Sequence, residues 1–217
     1  MEWCLEKANW TIEDWERVIF SDETTIEIGK TSMGQFVWRR IGERYKEKNC
    51  IGSVKSGCQA QMAWGCFAGI TLGPIAFCDG KWNSDSYISI LEENLIPFLE
   101  HIHEFDKNDG HEIQYIFQED NAPIHKSCQS TEWKEDHGIT AMRWPAQSPD
   151  LNPIENLWYL LKVQIQNCRH HPHNLEQLHS AIEEEWEYMD PFLDQLIKSM
   201  PNHIHECIKN KGRIMQY

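Results

Sequence analysis

Short apolar runs and alternating apolar and polar positions dominate the first part of the chain, and this pattern is typical of β-strands. Four strands are predicted there, at residues 17–22, 36–39, 59–67 and 70–78. The last two are expected to pair as a hairpin, because Gly69 lies between them at the position of a turn. Asp22 is expected to stand at the end of the first strand.

The spacing of apolar residues then changes to three and four, which predicts amphipathic helices. The first covers residues 84–101, where Pro97 is expected to introduce a kink. Further helices are predicted at residues 125–136, from 152 to 165, around 175–186, at 192–200 and at 203–209, and further strands at 113–117 and 139–143. Strands early, helices late and two helices among the later strands predict a mixed α/β sheet covered by helices.

Length and charge narrow the possible functions. The 217 residues suffice for one substantial domain. The longest apolar runs are too short to cross a membrane, and no basic start followed by an apolar stretch predicts a signal peptide. The net charge of −14 is unusual for a protein that binds DNA through a basic surface. A nucleic-acid function would therefore need a local site, or a basic part located elsewhere.

Eight cysteines are scattered along the chain without a C-x-x-C pair, so reduced thiols are expected. An alternative is a zinc site that joins Cys128 or Cys168 to the histidines of residues 170–173. These spacings match no standard zinc pattern.

Three acidic residues are candidates for chemistry, and each has an ordinary structural alternative. Asp22 and Asp120 each follow a predicted strand, where α/β folds place active sites and where Asp also serves in turns. Glu155 closes the sequence Asn152-Pro153-Ile154-Glu155, a capping-box pattern in which Glu would satisfy the helix start. A set of convergent carboxylates suits Mg²⁺, and two such ions can drive phosphodiester cleavage.

The sequences around these acids resemble the catalytic domain of Tc/mariner-type DNA transposases. The similar stretches are VIFSDE at residues 18–23, QEDNAPIH at 118–125 and WPAQSPDLNPIENLW at 144–158. The 34 residues between Asp120 and Glu155 match the Tc-like branch of that superfamily. The similarity extends over most of the chain, from about residue 10 to residue 209.

The resemblance implies a ribonuclease-H-like fold: a mixed five-stranded sheet with flanking helices and a helical C-terminal end. It also implies a site in which Asp22, Asp120 and Glu155 hold two Mg²⁺ or Mn²⁺ ions. The reaction of the family is hydrolytic strand cleavage at transposon ends, followed by attack of the freed 3′-hydroxyl on target DNA. DNA is the expected partner, a homodimer is possible, and the expected location is the nucleus. Neither a membrane nor a small-molecule cofactor is expected.

Four other residues match family positions and are expected to support the site or contact DNA: Asn121, His125, Trp38 and Arg39. For His125, a histidine that bonds to the backbone at a helix start is an equal alternative.

Residues 1–217 are predicted to form a single catalytic domain. Residues 1–15 are expected to be a residual linker to a helix-turn-helix region that is missing here, because only 21 residues precede Asp22. Two competing hypotheses remain. One is a catalytically silent or repurposed remnant that binds nucleic acid or protein. The other is a ribonuclease-H-like nuclease for RNA–DNA hybrids, which the stretch from residue 148 to residue 158 disfavours.

Overall fold

The computed structural model describes residues 1–28, 59–108, 110, 113–168 and 171–212. The strand predicted at residues 36–39, and with it Trp38 and Arg39, lies outside these residues.

A four-stranded mixed sheet forms the centre of the described structure. Its strands are β1 (Val18–Glu27), β2 (Ala60–Ala68), β3 (Thr71–Cys78) and β4 (Ile116–Gln118), in the order β3-β2-β1-β4. β2 is antiparallel to both β1 and β3, whereas β4 is parallel to β1. The predicted hairpin is confirmed, and Gly69 turns it with a φ of 54°, a conformation that glycine adopts without strain.

The fifth strand is not confirmed. Residues 139–143 were predicted to form a strand, but the structure shows an isolated parallel bridge there, between Ala141 and Phe117. Phe117 donates its N–H to the carbonyl of Thr140 (2.8 Å), and Met142 donates to the carbonyl of Phe117 (2.7 Å). β4 has only three residues, so its outer edge presents few backbone groups for a neighbouring strand.

β1 is longer than predicted and does not end at Asp22. It runs on to Glu27, and Asp22 pairs with Gly65 in the middle of β2. Past Asp22, buried and exposed side chains still alternate as in a strand: Thr24 and Ile26 are buried, and Thr25 is exposed. Pairing with β2 extends the strand through a segment whose polar composition had suggested a turn.

Helices cover both faces of the sheet. The eight α-helices of the described residues are α1 (Glu2–Glu6), α2 (Ile12–Glu16), α3 (Ser84–Ile90), α4 (Ile96–Asn108), α5 (Cys128–Asp136), α6 (Ile154–Asn167), α7 (Leu175–Glu187) and α8 (Asp190–Lys209). Helices α1, α2, α6, α7 and α8 pack on one face, around Phe20 and Phe67, and α3 and α4 pack on the other, around Trp64 and Phe117. None of the described helices is long and apolar enough to span a bilayer.

Three segments differ from what the sequence predicted. Residues 1–15, predicted as a linker, form α1 and α2, which bury Trp3, Cys4 and Trp15 in the core. The helix predicted at residues 84–101 runs through Pro97 without a break, and a wider π-helical turn, Leu91–Leu95, directly precedes the proline and accommodates its missing N–H. The two short C-terminal helices are one 20-residue helix, α8, which continues through Pro201.

One close contact locks α6 and α7 onto the sheet. Trp158 and Trp186 stack with ring centroids 5.0 Å apart, directly above Gly65 of β2. A Cβ atom at position 65 would lie 2.7 Å from the Trp158 ring, so only glycine leaves room for this stack. The contact fixes α6, which carries Glu155, against the strand that pairs with Asp22.

Candidate active site

The structure brings the three predicted acids to one pocket. Asp22, Asp120 and Glu155 all line a cavity of about 400 Å³. They come from the middle of β1, from the segment after β4 and from the first turn of α6. The opposite wall is formed by residues 144–149.

Helix α6 starts differently from the predicted capping box. Its N-cap is Pro153, which makes no side-chain capping bond, and the backbone N–H of Glu155 donates to the carbonyl of Asn152 (3.2 Å). Part of the predicted cap is present, because Oδ1 of Asn152 accepts a hydrogen bond from the N–H of Ile154 (3.4 Å), but the N–H of Asn152 donates to the carbonyl of Pro149 (2.9 Å) and not to Glu155. The side-chain amide of Asn152 also donates to the carbonyl of Ser21 (3.2 Å). This bond attaches the helix start to β1, one residue from Asp22. The Glu155 side chain is exposed and lines the pocket.

Asp120 combines a turn role with a place in the pocket. Its Oδ1 accepts a hydrogen bond from the N–H of Ala122 (2.8 Å), as the turn alternative predicted. The same oxygen lies 2.7 Å from Nδ1 of His125, and this contact is the main reason why the pKa of Asp120 is below its usual range. The carboxylate is therefore held in its ionised form.

His125 is buried between two carboxylates. Its Nδ1 faces Asp120, and its Nε2 lies 3.2 Å from Oε1 of Glu23. Burial opposes protonation, but the contacts with Asp120 and Glu23 outweigh it and raise the pKa of His125 to about 10. The side chain thus ties β1 to the segment that carries Asp120. This arrangement differs from the alternative in which the ring bonds only to the backbone.

Asp22 has the opposite electrostatic environment. Burial raises its pKa to about 8, and the negative charges of Glu155, Glu23 and Asp120 add to the effect. Like charges that share a pocket destabilise each other's ionised forms, and a bound cation relieves that repulsion. Among the described residues, no three acidic, histidine or cysteine side chains already converge closely enough to hold a metal ion. Three hard oxygen donors around one cavity nevertheless fit the ligands that Mg²⁺ and Mn²⁺ prefer.

Asn121 and Lys162 hold the surroundings of the pocket. The Asn121 side chain lines the pocket and donates to the carbonyl of Trp144 (2.9 Å), which fixes the opposite wall. Lys162 donates to the hydroxyl of Thr24 (2.6 Å), and its partial burial lowers its pKa. Sequence analysis missed Lys162 and Glu23. The only signals were that Lys162 follows Glu155 by two helical turns and that Glu23 is adjacent to Asp22.

The zinc alternative gains no support from the contacts of Cys168. Its thiol donates to Oε1 of Glu185 (3.1 Å). Cys168 lines a cavity together with His171 and His173, away from the acidic pocket, but among the described residues no three such side chains converge closely enough to hold a metal ion.

Comparisons with known proteins identify the family. The family model described as "DDE superfamily endonuclease" matches residues 17–179. The chain is 31% identical over 218 residues to the transposable element Tcb1 transposase of Caenorhabditis briggsae, an alignment that covers 100% of this chain and 76% of that protein. The crystal structure of the catalytic domain of Mos1 mariner transposase superimposes with a TM-score of 0.71 at 17% identity, covering 98% of this chain and 92% of that one.

A second solved structure, the Mos1 mariner paired end complex with Mn, gives a TM-score of 0.71 at 16% identity. That match covers 98% of this chain and 60% of the Mos1 chain. The predicted ribonuclease-H-like α/β fold is confirmed by these structures, apart from the fifth strand. Since the family model matches most of the chain and the Tcb1 transposase is similar along its whole length, the protein belongs to the DDE superfamily of endonucleases, among the Tc/mariner-type transposases.

Proposed function

We propose that residues 1–217 act as one catalytic domain that cleaves DNA at transposon ends and transfers the cut strand to target DNA. The observation that carries this proposal is the meeting of Asp22, Asp120 and Glu155 in one pocket, although they are far apart in sequence. Membership of the DDE endonuclease family supports the same reaction.

The three carboxylates are proposed to hold two Mg²⁺ or Mn²⁺ ions. The donor set supports this, because carboxylate oxygens are the hard ligands that these ions take, and the structural neighbour Mos1 was solved with Mn. When bound, such ions activate the attacking water or 3′-hydroxyl and stabilise the leaving oxygen.

The remaining residues of the site would orient the ligands. His125 would keep Asp120 ionised and fix its orientation through the 2.7 Å contact between Nδ1 and Oδ1 of Asp120. Its Nε2 contacts Glu23 on β1. Asn121 anchors the loop opposite the acids through the carbonyl of Trp144. We keep Trp38 and Arg39 as proposed DNA contacts on the strength of the sequence resemblance alone.

DNA is the proposed partner, and two copies of the chain are proposed to act on a pair of transposon ends. The supporting observation is that the neighbouring Mos1 structure is a paired end complex. A protein that acts on chromosomal DNA would work in the nucleus, which is the location we propose.

Nicking of supercoiled plasmid in Mn²⁺ or Mg²⁺ tests the cleavage step. The wild-type chain should nick the plasmid, and Asp120→Asn should reduce nicking to background. Asp136→Asn is the matched control, because Asp136 is an exposed acid at the end of α5. If Asp120→Asn nicks the plasmid as fast as the wild type, Asp120 is not part of the catalytic site.

Three further measurements separate the competing functions. A DNA oligonucleotide with a free 3′-hydroxyl should become joined to the plasmid if strand transfer occurs. Calorimetric titration with Mn²⁺ should show binding that the acid variants lose; a chain without such binding would instead support an interaction domain without catalysis. Faster cleavage of RNA–DNA hybrid than of duplex DNA would favour the hybrid nuclease.

A further inference from the structure

A buried charged cluster lies directly behind the proposed metal ligand Asp120. Glu119 is only 1% exposed, whereas the side chain of Asp120, the next residue, is 55% exposed. The Glu119 carboxylate accepts a hydrogen bond from the Tyr87 hydroxyl (2.7 Å), one from Nζ of Lys126 (3.1 Å) and one from Nζ of Lys134. We call Tyr87, Glu119 and Lys134, all of them buried, the anchor cluster.

The anchor cluster contacts both ends of the turn that carries Asp120 and His125. Lys134 donates to Glu119 and also to the backbone carbonyl of His125 (3.0 Å). The Tyr87 ring lies against the His125 ring, with centroids 4.3 Å apart. Three elements therefore meet at this turn: α3 through Tyr87, the end of β4 through Glu119 and α5 through Lys134.

The cost of burying charged groups indicates that the anchor cluster orients the backbone around Asp120 and adds little to the stability of the fold. Burying a lysine and a glutamate costs desolvation that their attraction only roughly repays, so apolar residues of similar size would hold the core equally well. The charged cluster does something that apolar residues cannot do. Directional hydrogen bonds fix Glu119 and the His125 carbonyl, and through them the backbone on both sides of Asp120.

We propose that Tyr87, Glu119 and Lys134 are positioning residues: they hold His125 and the turn that carries Asp120, and so orient Asp120 for binding a divalent ion. None of the three lines the pocket of the proposed metal ligands. This inference rests on the proposed function, because it assigns these residues to the same metal site. Groups that bond directly to a metal ligand commonly change metal affinity about 10- to 100-fold when they are removed, so a cluster one contact further back is expected to act at the lower end of that range.

The test measures Mn²⁺ affinity by calorimetry in Tyr87→Phe and Lys134→Met, with thermal melts of the same samples. Tyr87→Phe keeps the ring against His125 and removes only the hydroxyl, so it should fold even if Lys134→Met does not. The controls are Tyr188→Phe and Lys198→Met, since both side chains are exposed and lie away from the pocket. We expect about 10-fold weaker Mn²⁺ binding in each anchor variant and unchanged binding in the controls.

The outcomes separate this inference from the proposed function. If wild-type Mn²⁺ binding does not depend on Asp120, the proposed metal site fails, and the positioning role fails with it. If Asp120→Asn abolishes binding but folded Tyr87→Phe binds Mn²⁺ as tightly as the wild type, the positioning role alone is overturned. A purely structural cluster would lower the melting temperature and leave the Mn²⁺ dissociation constant of the folded protein unchanged, and that result would also overturn the inference.

Discussion

Replacing Asp22 with asparagine should stabilise the metal-free protein while removing a proposed metal ligand. Asp22 is partly buried, and burial together with the charges of Glu155, Glu23 and Asp120 raises its pKa from 3.8 to about 8. The folded protein therefore binds a proton at Asp22 more tightly than the unfolded chain does. Asparagine has nearly the same shape but carries no charge, so it avoids the cost of ionisation.

The size of the effect follows from the pKa shift. Each pKa unit corresponds to about 1.4 kcal/mol, so the full shift sets an upper limit of about 6 kcal/mol for ionised Asp22 above pH 8. The pocket is partly open, and neighbouring carboxylates can take up protons together, so we expect a gain of about 2–4 kcal/mol for Asp22→Asn. For a chain of this length, that corresponds to a rise of roughly 5–15 °C in melting temperature.

The sign of the pH dependence is fixed by the direction of the shift. Because the pKa is raised on folding, the contribution of Asp22 to stability is complete below the unfolded pKa of 3.8 and is lost as the pH rises through about 8. The stability difference between Asp22→Asn and the wild type should therefore be small at pH 4.5 and largest at pH 8.5.

Urea denaturation in EDTA at these two pH values measures the difference in the free energy of unfolding. Asp120→Asn provides an internal contrast: contact with His125 lowers the pKa of Asp120, so loss of this carboxylate should destabilise the protein at neutral pH, by no more than about 1 kcal/mol because the side chain is more than half exposed. Added Mn²⁺ should raise the melting temperature of the wild type and not that of Asp22→Asn. An Asp22→Asn protein that is no more stable than the wild type in EDTA at pH 8.5 would refute the electrostatic reasoning.

Three further substitutions test the framework around the site. Gly65→Ala should destabilise the protein by about 1–3 kcal/mol in thermal melts, because the new Cβ would lie 2.7 Å from the Trp158 ring; an unchanged melting temperature would contradict the packing. Asn152→Ala should cost about 1–2 kcal/mol and weaken Mn²⁺ binding, since it releases the start of α6 from the carbonyl of Ser21; equal binding would show that this bond does not position Glu155. Lys198→Ala removes an exposed ion pair between Lys198 and Asp194, one turn earlier on α8, so it should change the free energy of unfolding by less than about 0.5 kcal/mol. A larger loss would indicate an unrecognised contact of Lys198.

The local sequence determined the parts of the fold that depend on near neighbours. The hairpin around Gly69 and the apolar stripe of α6 were predicted correctly, because alternation and helical periodicity depend on residues only a few positions apart. The three acids were selected by the stretches of sequence around them, and the structure places all three in one pocket. The family was likewise recognisable from residues 144–158 and the 34-residue spacing.

Tertiary structure decided the features that join distant segments. β1 continues past Asp22 because β2 pairs with it, and Asn152 at the start of α6 also donates to the carbonyl of Ser21, 131 residues earlier. Likewise, His125 meets Glu23 across 102 residues.

The sequence Glu119-Asp120 does not reveal which acid is buried and which faces the pocket. The structure assigns these roles through Tyr87, Lys134 and His125. Local periodicity can predict where a strand or helix lies, but hydrogen bonding and burial of a charged side chain depend on partners that only the folded chain brings within reach.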